Sequence, residues 1–239
     1  MVSVFQWIFR RMQEFTVSFP KSIILVTFDA VGTLICPDPS VGAVYQEIFA
    51  EHGIDARVED VESRFRHVFG QFENYRVRHP VTADDREFWK AIVCDTVAPW
   101  STDFLQQTSI FERLYAAFGE GRRWQVLPGV FETLESLKSS GRRLALLSNA
   151  DQRFHNVMEA LKLRSYFEQV FLSGEVGYEK PDVRIFQYVE QVCQVDPLQI
   201  CHVGDSIKHD IEGARAAGWH AFYIGNNGCS LTELIKQLV

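Results

Sequence analysis

The absences in this 239-residue chain narrow its possibilities first. The apolar and aromatic extension at its start, Met1 to Pro20, is broken by Arg10, Arg11 and Glu14. It is too short and too charged for a spanning helix, and it lacks a small-residue cleavage site of the secretory kind. Val4, Trp7, Ile8, Arg11 and Phe15 are helix-spaced, which suits a surface-docked amphipathic helix; residues 1–20 are assigned no role and no stable membrane insertion is expected. A basic excess is also missing. Lys and Arg number 24 against 31 Asp and Glu, a net charge of -7 that argues against a broad nucleic-acid surface. Five cysteines (Cys36, Cys94, Cys193, Cys201, Cys229) are odd in number and show no C-x-x-C spacing. Neither a disulfide framework nor a zinc site is expected, and packed, reduced thiols fit a cytoplasmic protein. No internal repeat or low-complexity tract is present. What remains is 46% hydrophobic and 23% charged, enough to bury a real core.

The chain is organised around Ile23 to Leu34. Six mostly apolar residues run into one carboxylate, Asp29, followed by Ala30-Val31-Gly32-Thr33. A continuous apolar run reads as a strand buried on both faces, and such a strand sheds its hydrophobicity at its end. From Pro37 to Arg123 no strong strand run occurs. Helix-spaced sets replace it: Val44, Ile48 and Phe49; Val61, Phe65, Val68 and Phe69; Phe88, Ile92 and Val93; Phe104 with Phe111, Leu114, Tyr115 and Phe118. These predict an all-helical insert. Strands and helices then alternate. Strands are expected at Arg143 to Leu147, Gln169 to Leu172, Ile200 to Val203 and Ala221 to Ile224. Helices are expected near Val130 to Ser140, Gln152 to Leu161, from Asp182 to about Cys193, from Asp210 to Ala217 and from Leu231 to Leu238. The alternation implies right-handed crossovers and a doubly wound parallel sheet of the α/β class.

Four chemical groups fall at or just after strand ends: Asp29, Ser148, Lys180 and Asp205. Alone, each has an ordinary structural explanation as a turn, a cap or a solvated charge. Together they supply a carboxylate nucleophile, a hydroxyl donor, a cation and a second carboxylate, which are the parts phosphoryl transfer needs. Asp29 and Asp205 could share a hard divalent ion such as Mg²⁺.

The pieces D-A-V-G-T-L, L-L-S-N, E-K-P-D-x-x-I-F and V-G-D-S-x-x-x-x-D resemble the four motifs of the haloacid dehalogenase superfamily of hydrolases. The resemblance covers nearly everything after the extension. It implies a Rossmann-like core at 21–36 and 124–239, with a helical cap at 37–123 that opens and closes near Cys36-Pro37 and Trp124. It makes Asp29 the nucleophile that becomes an aspartyl ester or phosphate. Ser148 would hydrogen-bond the transferring group, the Asn149 backbone N–H would assist, and Lys180 would bridge nucleophile and phosphoryl group. Gly32 and Thr33 would shape the turn, with Thr33 at the phosphate site. Asp205, Asp29 and the Val31 backbone carbonyl would ligate Mg²⁺, with Asp210 supporting that ion directly or from behind. The expected partner is a small phosphorylated molecule; the oligomeric state is not readable.

The pattern breaks at Val31, where phosphatases of this family carry a second aspartate that moves protons. Such help is worth about 10²–10⁴ in rate. Three readings follow. One is a hydrolase of weak or narrow activity, whose leaving group needs little protonation or whose acid is replaced from among His209, Glu179, Tyr178 or the cap. Another is a non-catalytic phosphate-binding or regulatory protein. The third is a dehalogenase-like enzyme, disfavoured by the intact Gly204-Asp205 and by Phe186 where such enzymes place a tyrosine. Substrate identity lies in the cap, whose His52, His67, His79, Arg57, Arg64, Arg66, Arg76 and Arg78 are expected mostly on solvated faces.

Overall fold

β1 (Leu25–Phe28) lies at the centre of a five-stranded sheet with all four residues buried. The computed structural model describes residues 20, 22–71, 75–76, 78–225 and 230–238, so the amphipathic pattern at residues 1–19 lies outside the described residues. In chain order the elements after β1 are β2 (Ile35–Pro37), α1 (Val41–Glu51), α2 (Val58–Phe69), α3 (Arg86–Val97), α4 (Phe104–Ala117) and β3 (Trp124–Val126). There follow α5 (Val130–Ser139), β4 (Arg143–Ser148), α6 (Phe154–Ala160), β5 (Gln169–Leu172), the single turn α7 (Ser173–Val176) and α8 (Val183–Cys193). The chain closes with β6 (Ile200–Gly204), a π-helical segment Ile207–Glu212, α9 (Gly213–Ala216), β7 (His220–Tyr223) and α10 (Leu231–Leu238). Among the described residues no helix is long and apolar enough to cross a membrane.

The sheet order is β5-β4-β1-β6-β7, every pair parallel. Side chains alternate across a strand, so a run apolar at every position must be covered twice. Leu25 accordingly packs with Ala145, Leu147 and Ile200 under Ile185, Phe186 and Val189 of α8. Val26 and Phe28 face the other way, with Leu144, Leu146 and Val203, under α5 and α10 through Leu134, Leu137, Leu234 and Leu238. This is the doubly wound, Rossmann-like arrangement the sequence implies.

β2 and β3 pair antiparallel, Ile35 opposite Val126 and Pro37 opposite Trp124, so the chain leaves and re-enters through one narrow two-stranded stalk. The helices between them form their own core from Val44, Tyr45, Ile48, Phe49, Val61, Val93, Ile110, Phe111 and Leu114. Ser40 caps α1 by accepting from Ala43 N (3.1 Å). Two members of the predicted aromatic sets stay out of the buried clusters: Phe104, at the first turn of α4, is 66% exposed, and Phe69, at the end of α2, is 37% exposed.

Two helix starts differ from the expectation, each because an aspartate turns inward. Asp151 accepts from Arg153 N (3.0 Å), and α6 begins only at Phe154. Asp210 lies in the widened π-helical segment, and its Oδ2 accepts from Ser206 N (2.8 Å). The extra residue of a π turn re-aims the side chain, a common device near functional sites.

Phe186 is fully buried edge-on between Trp219 (5.1 Å) and His202 (6.0 Å). Urea unfolding of Phe186→Ala is expected to show a loss of about 3–5 kcal/mol, the cost of a large buried cavity.

Candidate active site

Parallel strands end on the same edge of the sheet, and there the chain must turn and can expose polar groups. Asp29 follows β1 directly, its N–H donating to Val203 O (2.8 Å). Ser148 is the last residue of β4, Asp205 follows β6, and Lys180 arrives on the loop between α7 and α8. Ser148 Oγ donates to Asp29 Oδ1 (3.0 Å). Lys180 Nζ donates to the same oxygen (2.8 Å) and to Asp210 Oδ1 (2.6 Å). Asp29, Asp205 and Asp210 each bring a carboxylate oxygen within 4.8 Å of the others. Two glycines permit this crowding. A Cβ on Gly32, whose φ is +87°, would lie 2.2 Å from Asp205 Oδ2; one on Gly204 would lie 2.2 Å from Asp210 Cγ.

The charges are unbalanced. Three carboxylates and one ammonium leave a surplus of negative charge in a buried place. Burial pushes the Asp29 carboxyl up, the Lys180 ammonium opposes that, and Asp210 adds to it. Burial would lower Lys180, but Asp210 and Asp29 outweigh it and hold the ammonium charged. Burial acts against Asp210 too, yet Lys180 and His202 hold its carboxyl below the usual range. For Asp205 the Lys180 charge is only a minor opposing effect. Burial first, then Asp29 and Asp210, push it up to about 7. Hard oxygen donors, close spacing and surplus charge fit a small divalent cation.

The structure also brings in a residue the sequence reading missed. His202 is fully buried on β6 opposite Thr27 of β1. Its Nδ1 pairs with Thr27 Oγ1 (2.8 Å) and its Nε2 with Asp210 Oδ1 (3.1 Å). Burial, then Lys180, favours the neutral imidazole. The signal was available: Thr27 and His202 are the polar residues inside two otherwise apolar strands, at matching positions.

Asn149 acts through its side chain. Its Oδ1 accepts from Lys180 N and its Nδ2 donates to Lys180 O, both 2.8 Å, clamping the lysine loop to the end of β4. It does not stand at a helix start, because α6 begins only at Phe154. Thr33 also departs from its expected place: it is fully buried, its Oγ1 has no hydrogen-bond partner, and it is absent from the cavity wall. Val31 does line the cavity and is 38% exposed.

That cavity, about 460 Å³, runs from Asp29, Ser148, Lys180 and Asp205 up among the insert helices, where its walls are mostly aromatic. Of the insert arginines named from sequence, Arg76 reaches it, forking onto Asp85 (2.9 and 2.7 Å) and meeting Glu179 at 2.9 Å. Arg57 and Arg66 pair with Glu59 and Glu62, and Arg64 donates to Asp95 O. His52 is held by Ile48 O and Ser109, and His67 approaches Gln71. From the sheet side, Asp151 accepts from Trp89 Nε1 (3.1 Å) and from Arg153 (2.5 Å). Tyr178 is not part of the wall, whereas His209 is.

A sheet with its charged cluster beyond the strand ends, under a helical insert, defines a class of α/β hydrolases. The chain belongs to the haloacid dehalogenase-like hydrolase family, whose profile matches residues 23–218. It is 33% identical over 207 residues to the human haloacid dehalogenase-like hydrolase domain-containing protein 3, covering 84% of this chain and 82% of that one. It is 31% identical over 210 residues to a phosphoglycolate phosphatase of Pseudomonas putida, covering 87% and 71%. Among solved structures, a dehalogenase with an intermediate complex superposes with a TM-score of 0.71 at 23% identity, over 91% of this chain and 97% of that one.

A cation held by Asp205 would have to displace its proton to bind. Affinity for Mg²⁺ is therefore expected to rise with pH until Asp205 ionises near 7 and to level off above it, with a proton released on binding. Calorimetry in two buffers of different ionisation enthalpy checks this, and Asp205→Asn should flatten the dependence.

Proposed function

We propose that the protein is a Mg²⁺-dependent, phosphatase-like hydrolase acting on a small phosphorylated molecule through an aspartyl-phosphate at Asp29. One observation carries the reading: Asp29, anchored by Lys180 and Ser148, is one of three clustered carboxylates lining a cavity. Asp29, Asp205 and the Val31 carbonyl would hold the cation, with Asp210 as a further ligand or a support. When bound, Mg²⁺ neutralises phosphoryl charge.

The protein's own groups do the rest. A carboxylate oxygen of Asp29 attacks phosphorus while the bond to the leaving oxygen breaks with its electron pair. Ser148 Oγ and Lys180 Nζ, already on Asp29, are placed to donate to the phosphoryl oxygens. Water then attacks the phosphorus, returning the Asp29 carboxylate and releasing phosphate. Val31 supplies no proton to the leaving oxygen and takes none from the water, so turnover is weak or narrow.

Val31→Asp is expected to raise steady-state hydrolysis of an alkyl phosphate, whose leaving alkoxide needs a proton, about 10²-fold or more. Asp29→Asn should abolish it, and chelation of the cation should do the same. No gain from Val31→Asp would show that the limiting defect lies elsewhere; retained activity in Asp29→Asn would remove it as nucleophile. The competing dehalogenase chemistry predicts chloride release from 2-chloropropionate, and none is expected. A non-catalytic phosphate-binding protein would show no product in any of these assays.

A further inference from the structure

We propose that the substrate is an aryl phosphate monoester, its phosphoryl group on Asp29 and its ring among the aromatic side chains of the insert. This rests on the phosphatase reading above and names the substrate class of that same site.

The first observation is the shape of the wall. Phe65 and Phe69 stack at 5.5 Å with planes 16° apart, and Phe69 and Trp89 at 6.1 Å with planes 7° apart. All three line the cavity that opens on Asp29. Three rings from α2 and α3 are thus held nearly parallel, and a flat aromatic body can continue the stack or meet its edges. Such contacts add to what apolar burial alone supplies.

A second observation concerns the polar groups. Arg76 is forked onto Asp85, and Arg153 onto Asp151, which also takes the Trp89 indole N–H. The strongest polar groups on this part of the wall, from the insert and from the sheet side alike, are therefore engaged with one another. A sugar or polyol body would surrender its hydration to a largely aromatic surface with little in exchange. An aromatic ring surrenders almost nothing.

The third is chemical. Beside Asp29 the wall presents the isopropyl group of Val31. Lys180 is already shared by Asp29 and Asp210. An alkoxide leaving into this space would need a proton. An aryloxide has a conjugate acid that ionises near ~10, as tyrosine does, and it departs as the anion. The electron pair of the P–O bond leaves with the aryl oxygen, which takes its proton later from solvent. Water then cleaves the aspartyl-phosphate, and the sum is aryl phosphate plus water giving phenol plus phosphate. The aromatic wall and the absent acid therefore favour the same leaving group.

The test uses the wild-type protein with Mg²⁺ and three substrates: naphthyl phosphate, butyl phosphate and acetyl phosphate. The kcat/KM for naphthyl phosphate should exceed that for butyl phosphate by about tenfold or more. Naphthylmethylphosphonate, which cannot react, should inhibit with a Ki about tenfold below that of butylphosphonate, separating ring binding from leaving-group reactivity. Phe69→Ala should lower the naphthyl-to-acetyl ratio of kcat/KM about tenfold; the phosphonate comparison stands even if that variant does not fold. Equal kcat/KM for naphthyl and butyl phosphate, or equal Ki for the two phosphonates, overturns the aryl assignment. Acetyl phosphate turnover would then leave the phosphatase reading in place. Turnover of none of the three, with no phosphate on Asp29, removes that reading and the aryl assignment with it.

Discussion

The buried ammonium of Lys180 is the charge on which the site depends. It is 2.8 Å from Asp29 and 2.6 Å from Asp210, and all three side chains are buried. A carboxylate in such a place is costly without a partner, and removing one member of a buried pair typically costs about 3–5 kcal/mol. Lys180 therefore ties three separate parts of the chain together: the end of β1, the π-helical segment after β6, and its own loop. The Asn149 side chain fixes that loop from the fourth direction, gripping both backbone groups of the lysine. Behind it, His202, itself held by Thr27, meets Asp210 from within the sheet.

One lysine cannot neutralise three carboxylates. The remainder falls on Asp205, half-buried and only weakly compensated by Lys180, and its raised proton affinity is the visible consequence. The backbone enforces this crowding. Gly32 and Gly204 leave out the Cβ atoms that would push Asp205 and Asp210 apart. A sheet edge that accepts such repulsion in the free protein gains it back when a divalent cation or a proton arrives, so strain and binding at this edge are one quantity seen from two sides.

How much of this was legible depended on how local the cause was. β1 and the strand-end residues Asp29, Ser148 and Asp205 could be read because an apolar run ending on a polar group is a local pattern, and parallel topology then gathers the ends. The helical insert could be read from its apolar spacing, although Phe104 shows that spacing alone does not say which aromatic faces inward. His202 escaped because a polar residue inside a strand acquires meaning only when the register sets it opposite Thr27. The side-chain clamp of Asn149 on Lys180 and the Arg76–Asp85 pair escaped for a related reason: their partners lie 31 and 9 residues away, and no one-dimensional spacing specifies them.

The site thus joins two environments with opposite demands. The sheet edge is charged and rigid, built to hold and compensate anionic oxygen; the insert is aromatic and offers mainly surface and shape. Val31 stands at the boundary between them. A proton donor there would contribute about 10²–10⁴ in rate, or roughly 3–5 kcal/mol of barrier. Tighter binding by the insert cannot replace it, because contacts made equally in ground and transition states leave kcat unchanged. On the phosphatase reading proposed above, the missing stabilisation would come from the substrate, through a leaving group that tolerates negative charge. On the aryl phosphate reading proposed above, an aromatic wall and an isopropyl group in place of a carboxyl make one selection twice, since an arene both fits the first and dispenses with what the second lacks.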